Sequence, residues 1–219
     1  MFTLEMIALM GEGLLETLYM TLLSAALSYV LGLPLGVILV LTDADGIRPN
    51  APVNRVLGTV VNALRSVPFL ILLFTVIPVT RFITGTTIGP TATIVPLTIA
   101  AAPFIARMVE GSLKEVDRGV IEASLSMGAS PLQVVWRVLL PEALPSLING
   151  AAIATTTLLG YSAMAGICGG GLGAIAINYG YYRGETDVML VMVVILILVV
   201  QLFQFVGERV MRRVDKRIR

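Results

Sequence analysis

The chain has 219 residues, 57% of them hydrophobic and only 13% charged, with a formal net charge of +1 and a mean hydropathy of +0.92. A water-soluble protein carries about a quarter charged residues, so this composition requires lipid to solvate most of the surface. The richness in apolar residues excludes intrinsic disorder, and the single cysteine, Cys168, excludes a disulfide scaffold. With no histidine and one cysteine, most zinc, haem and cysteine–histidine chemistry is excluded as well. No catalytic residue and no metal ligand set is expected. The composition is that of an integral membrane protein.

The N-terminus lacks a basic region and carries Glu5, Glu12 and Glu16, so it does not read as a cleavable signal. Thr17 to Thr42, Phe82 to Ala106 and Val188 to Gly207 contain no charge, and between Arg55 and Arg81 the one charge is Arg65. The uncharged stretch from Ala143 to Tyr182 is too long for one crossing and is interrupted by Gly166, Gly169, Gly170, Gly171 and Gly173. A crossing helix needs about 20 apolar residues. Five spans are therefore predicted, near 15–41, 57–80, 88–107, 143–165 and 187–208, with a glycine-rich external loop after the fourth. Pro68, Pro78, Pro96 and Pro103 are expected to kink the second and third helices, either for packing or for helices that splay and close.

Basic residues set the orientation. With the C-terminus in the cytoplasm, Arg48, Arg55, Arg107, Lys114, Arg118, Arg137 and the tail residues Arg209, Arg212, Arg213, Lys216, Arg217 and Arg219 all lie inside. Only Arg81 and Arg183 lie outside, and five spans then put the N-terminus outside. The basic tail is explained by topology and attraction to anionic lipid.

The long polar segment is the loop 108–142. Val120, Ala123, Ser124 and Met127 recur at helical spacing as a face of small and apolar groups. Gly128 stands where a left-handed cap ends a helix. Ser130-Pro131-Leu132-Gln133 reads as an N-cap serine, proline at the first helical position and a capping-box glutamine. The second helix is predicted to end at Leu140, before Pro141. The loop is thus helix, tight turn, helix.

Glu122-Ala123-Ser124, then Gly128, then Val138-Leu139-Leu140-Pro141 resembles the signature loop of ATP-binding-cassette importer permeases. That pattern is Glu-Ala-Ala, three residues, Gly, nine residues, an aliphatic residue, any residue, Leu and Pro. Every spacing matches, with Ser124 in place of the second alanine and Val138 in place of isoleucine. The resemblance implies a short helix seated in a groove of a nucleotide-binding subunit. Coupling to that ATPase would fall to Glu122, Ala123, Ser124, Gly128, Leu140 and Pro141: the small residues allow close approach, Gly128 fixes the interhelix angle, and Glu122 pairs across the interface or caps locally.

Further runs resemble the permeases of methionine importers. They include Gly32-Leu33-Pro34-Leu35-Gly36-Val37, Arg65-Ser66-Val67-Pro68-Phe69, Ala102-Pro103-Phe104-Ile105-Ala106-Arg107 and Gly160-Tyr161-Ser162-Ala163-Met164. The likeness runs from about residue 12 to 213. It implies an all-α polytopic protein of the type I importer permease fold, with five transmembrane helices, a coupling helix and one permease domain over residues 1–219. It implies a non-catalytic homodimer in the bacterial inner membrane, two cytoplasmic ATP-binding-cassette ATPases that bind ATP and magnesium, and an external substrate-binding protein, commonly a lipoprotein. L-methionine and D-methionine are the implied cargo, and nucleic acid is no partner. Independently, the chain has no phosphate-cradling Gly-x-x-x-x-Gly-Lys-Ser/Thr loop, so energy must come from a partner or an ion gradient. A permease for another small amino acid is the alternative. An ion-coupled secondary transporter is a weaker one, because the spans hold no carboxylate beyond the edge residues Glu16 and Glu142.

Arg65 is the costly residue of the spans, about 3 kcal/mol at a helix centre. It could snorkel, pair with Glu110 or Glu142, or line the inner mouth of a pathway. In the fourth span, Thr155, Tyr161 and Ser162 serve either a permeation path or bonding between helices and to the backbone. Met164, beside the glycine run, is a candidate apolar gate or a packing residue.

Overall fold

The computed structural model describes residues 4–214, and among these there is helix and no strand. Lys216, Arg217 and Arg219 lie outside the described residues. In chain order the helices are α1 (Leu4–Thr42), α2 (Ala51–Ser66), α3 (Phe69–Thr75), α4 (Ile77–Thr84), α5 (Pro90–Lys114), α6 (Arg118–Ser126), α7 (Pro131–Val134), α8 (Leu140–Glu142), α9 (Leu144–Met164), α10 (Gly171–Ile175) and α11 (Thr186–Val214). Wider π-helical turns occupy Val135–Leu139 and Ala176–Tyr181, and a 3₁₀ turn occupies Ala165–Ile167. Four of these helices, α1, α5, α9 with its 3₁₀ extension, and α11, are long and apolar enough to cross a membrane. The bent pair α2 and α3 makes a fifth if counted as one span.

The second span is where the helices depart most from the expectation of one helix over 57–80. Helix α2 ends at Ser66, Val67 and Pro68 are non-helical, and α3 and α4 follow as short separate helices. Pro68 sits at the N-cap of α3 with ψ 136°. It has no amide hydrogen to donate into a continuing ladder, and its ring pushes Val67 out of the helical region. Pro78, by contrast, stands in the first turn of α4, where no donor is needed. Pro96 and Pro103 leave α5 helical from end to end.

Other boundaries move outward. Helix α1 begins at Leu4 rather than near 15, because the exposed Glu5 and Glu12 are good helix formers and Glu5 favours the first turn. Helix α5 runs past Arg107 to Lys114, its charges held by Glu110 between them. The stretch 171–181, expected as an external loop, is helical: α10 passes into the π-helical turn Ala176–Tyr181.

The chain forms two compact units. One comprises Met1–Ser28, Val67–Ala101 and Thr155–Gln204. Its core gathers Met10, Leu172, Ile175, Val188 and Met192. The hydroxyls of Ser24 and Ser28 donate to the carbonyls of Ile94 (3.5 Å) and Thr98 (3.3 Å). The other unit comprises Tyr29–Ser66, Ala102–Ala154 and Phe205–Arg219. Here α1 and α5 meet backbone to backbone, since a Cβ on Gly36 would lie 2.6 Å from the Ala106 carbonyl oxygen. Leu39, Val61 and Ala106 form a small core at this contact.

Candidate functional site

The loop after α5 is built from local signals. Asp117 caps α6, its Oδ1 accepting the Gly119 N–H at 2.7 Å. The helix ends in a full Schellman motif: the Ala129 N–H donates to the Ser124 carbonyl at 3.1 Å and the Gly128 N–H to Leu125 at 2.9 Å. Gly128 has φ 84°, the left-handed region that a side chain disfavours, although the space around it is open. Two residues on, Ser130 and Gln133 form a reciprocal capping box, the serine N–H donating to Gln133 Oε1 at 2.8 Å and the Gln133 N–H to Ser130 Oγ at 3.4 Å.

The second helix does not stop at Leu140 as expected. It passes through a π-helical turn, in which the Leu140 N–H donates to the Val135 carbonyl five residues back, and continues through Pro141 into α8. Only a turn at Ala143 separates α8 from α9. Widening the turn ahead of Pro141 removes the ordinary i−4 bond that proline cannot make, so the helix bends around its ring instead of ending. The loop is therefore joined to α9 by a nearly continuous helical rod, with Leu140 half-buried and Pro141 exposed.

The face expected from Val120, Ala123, Ser124 and Met127 splits. Ser124 is turned inward and its hydroxyl donates to the Val120 carbonyl at 2.9 Å. Val120, Ala123 and Met127 are exposed, Met127 to 81%, and Glu122 is exposed beside them. Across the turn, Leu132 (66%) and Trp136 (63%) are also exposed, while Val134, Val135 and Leu139 are buried beneath. Leu132 and Trp136 were missed by the motif reading. Their four-residue spacing after the capping box puts them on one helix side, opposite the buried trio, and that was the signal available.

Beneath α6 lies a cleft of about 480 Å³ whose lining includes Asp43, Asp45, Lys114, Arg118 and Glu122. Lys114 Nζ contacts Asp43 Oδ2 at 2.6 Å and Glu110 Oε1 at 2.9 Å. Arg118 meets Asp45 at 3.0 Å, with both side chains about 70% exposed, so solvent screens that pair strongly. The hydrogen bond from Lys114, and then the Ala44 N–H, hold the Asp43 carboxyl below its ordinary 3.8. The helical spacings Arg107–Glu110 and Glu110–Lys114 were legible in the sequence, whereas their acidic partner in the turn after α1 was not.

The other candidate residues lie elsewhere. Arg65 is exposed in the last turn of α2, and Glu110 is engaged by Arg107 and Lys114 instead. In the other unit, the Tyr161 ring stacks on Phe69 with centroids 4.7 Å apart and planes within 1°. Ser162 is 1% exposed and its hydroxyl donates to the Leu159 carbonyl at 2.8 Å. Thr155 is half-buried, and Met164 is half exposed. Among the described residues no group of three or more His, Cys, Asp or Glu could hold a metal ion.

Residues 9–219 match the family described as binding-protein-dependent transport system inner membrane component. The chain is 54% identical over 203 residues to the probable D-methionine transport system permease protein MetI of Vibrio cholerae, covering 92% of this chain and 90% of that one. It is 56% identical over 161 residues, 74% of each chain, to the D-methionine transport system permease protein MetI of Salmonella typhimurium. A solved structure of the MetNI methionine ABC transporter in inward-facing conformations superposes with a TM-score of 0.97 at 50% identity, over 98% of this chain and 100% of that one. An amino acid ABC transporter solved with histidines shares the fold, with a TM-score of 0.76 at 20% identity over 95% of each chain.

Proposed function

Because the chain belongs to the family of binding-protein-dependent transport system inner membrane components, we propose that it is the membrane-spanning permease of an ATP-driven methionine importer. Two copies form the pathway, and each docks a separate ATPase through the loop that follows α5. The observation that carries this reading is the loop itself: two capped helices, a Gly128 turn, and Met127, Leu132 and Trp136 presented to solvent. Exposed large apolar groups on so rigid an element mark an interaction surface. The methionine assignment is supported by the relatives named D-methionine permeases and by the MetNI structure.

The geometry supports a division of labour. Glu122 and Ala123 face outward to meet the ATPase, while Ser124 closes the helix against its own backbone. Gly128 sets the angle between α6 and the next helix. Leu140 and Pro141 lie in α8, between the π-helical turn and α9, so displacement of the loop is delivered to a long apolar helix. ATP and magnesium are held by the partner ATPase, and an external binding protein delivers L- or D-methionine. The whole chain is one permease domain, with α1, the α2–α3 pair, α5, α9 and α11 as spans, the N-terminus outside and the C-terminus inside. Thr155, Tyr161, Ser162 and Met164 on α9, and Arg65 on α2, are the pathway candidates.

The test is reconstitution with the ATPase and binding protein in liposomes. ATP-dependent uptake of labelled L- and D-methionine is expected. Uptake driven by an ion gradient without the ATPase overturns the importer reading, and uptake of a different small amino acid to the exclusion of methionine overturns the substrate.

A further inference from the structure

We infer that Arg107 is a positioning residue that ties the coupling loop to α2, so that loop movement reaches the broken second span. One guanidinium on α5 serves three acceptors. It donates to Glu110 Oε2 on its own helix, and to the Gly58 carbonyl (3.1 Å) and Asn62 Oδ1 (3.2 Å) on α2. Glu110 is 8% exposed, and its other oxygen accepts from Lys114 at 2.9 Å. Lys114 reaches Asp43 in the turn after α1, and two residues on in that turn Asp45 takes Arg118, the first residue of α6. The contacts therefore run without a gap from the start of the coupling helix, through the turn and α5, to α2.

A buried carboxylate needs a cation, but neutralising Glu110 requires only one, and Lys114 already supplies it. The remaining donors of Arg107 go to a backbone carbonyl and a side-chain amide on another helix. Only the fork of a guanidinium can hold those directions together with the carboxylate. Helix α2 is shaped to receive it: a Cβ at Gly58 would stand 3.3 Å from Arg107 Nη2, closer than an ordinary contact. Asn54, one turn earlier on the same face, donates to the Leu39 carbonyl at 2.8 Å and to Thr42 Oγ1 at 3.2 Å. Together with Val61, packed against Leu39 and Ala106, these bonds hold one face of α2 to α1 and α5.

The inference rests on the reading of the loop as the ATPase contact, so the experiment carries a variant for each. In liposomes containing the intact complex, uptake of labelled methionine and ATP hydrolysis are measured together. Arg107→Lys keeps a cation beside Glu110 but gives up the fork. Asn62→Ala removes the side-chain acceptor on α2 with every charge in place. Both are expected to retain the ATPase and near-normal hydrolysis, while uptake per ATP falls on the order of ten-fold, the size of one lost charge-assisted hydrogen bond. The double variant should be no worse than the poorer single one, because both break the same link. Unchanged uptake per ATP in Arg107→Lys, or a parallel fall of uptake, hydrolysis and melting temperature, overturns the inference. Gly128→Val in the same series tests the underlying reading: wild-type uptake there sinks the loop assignment, whatever Arg107 does.

Discussion

The carboxylate of Glu16 on α1 accepts the backbone N–H of Gly171 at 2.7 Å, joining residues 155 apart in sequence at the start of α10. Thr17 Oγ1 takes the next donor, Leu172 N–H, at 2.9 Å while giving its own proton to the Gly13 carbonyl. Backbone donors at a helix start have no partner within the helix. Side chains of α1 therefore complete the helix that follows the glycine run. Glu16→Ala should lower the melting temperature of the detergent-solubilised protein by the equivalent of about 1–3 kcal/mol. Glu16→Gln, which keeps an acceptor oxygen, should recover part of that loss. Identical melting of the alanine variant and wild type would remove the capping role.

The turn at Gly128 is strained for any residue with a side chain, because of its φ and not for want of space. Gly128→Val should cost about 1–3 kcal/mol in loop geometry, leave insertion intact and sharply lower methionine uptake. Gly11 is the suitable control, being exposed on α1 with nothing within 4 Å of an added Cβ. Gly58 is unsuitable because Arg107 stands against it. Equal uptake by the Gly128 and Gly11 valine variants would contradict the assignment of the turn.

Trp136 and Leu132 are predicted to be anchors for the ATPase. Buried aromatic anchors at interface centres cost about 2 kcal/mol or more on truncation, so Trp136→Ala should weaken ATPase retention on co-purification by about ten-fold or more. Folding should be unaffected, because the ring is largely exposed in the chain alone. Loss of melting temperature with unchanged ATPase retention would reverse the reading.

The Asp43–Lys114 link should be insensitive to pH over the working range. A lowered carboxyl pKa contributes stability that is present above the ordinary value of 3.8 and is lost only as pH falls through the lowered folded value. Asp43→Asn should therefore reduce uptake by the same factor at about pH 5.5 and about pH 8. A defect that vanishes at the lower pH would show that another group carries the effect.

Close approach of α1 and α5 at Gly36 leaves no room for a methyl group beside the Ala106 carbonyl. Gly36→Leu must push the helices apart or fail to fold, and a strong loss of membrane-integrated protein is expected. Overpacking typically costs about 1–3 kcal/mol, and more where backbone stands in the way. Normal expression and melting of this variant would mean that the contact is looser than the geometry indicates.

Membrane insertion, helical class, the C-terminal end of α6 and the start of α7 were determined by the sequence alone, because each depends on residues within a few positions of one another. The Schellman turn at Gly128 and the Ser130–Gln133 box close inside six residues, so no distant contact is needed to specify them. The resemblance to importer permeases rested on that same stretch. Hydropathy could not foresee that the kink expected at Pro68 would become a full break at Val67–Pro68, since apolar composition is blind to backbone donors. Nor could it foresee that Pro141 would be carried through a helix, because the π-helical turn that accommodates it is a choice of backbone register. The glycine run shows the limit most clearly. Its composition reads as loop, and only tertiary structure makes α10 of it, because the acceptors that satisfy Gly171 and Leu172 come from Glu16 and Thr17 on α1. The ties of Arg107 to Gly58 and Asn62, and of Lys114 to Asp43, belong to the same class. A sequence specifies what each helix can bond to within its own turns, and the fold alone decides which distant acceptor stands within 3 Å.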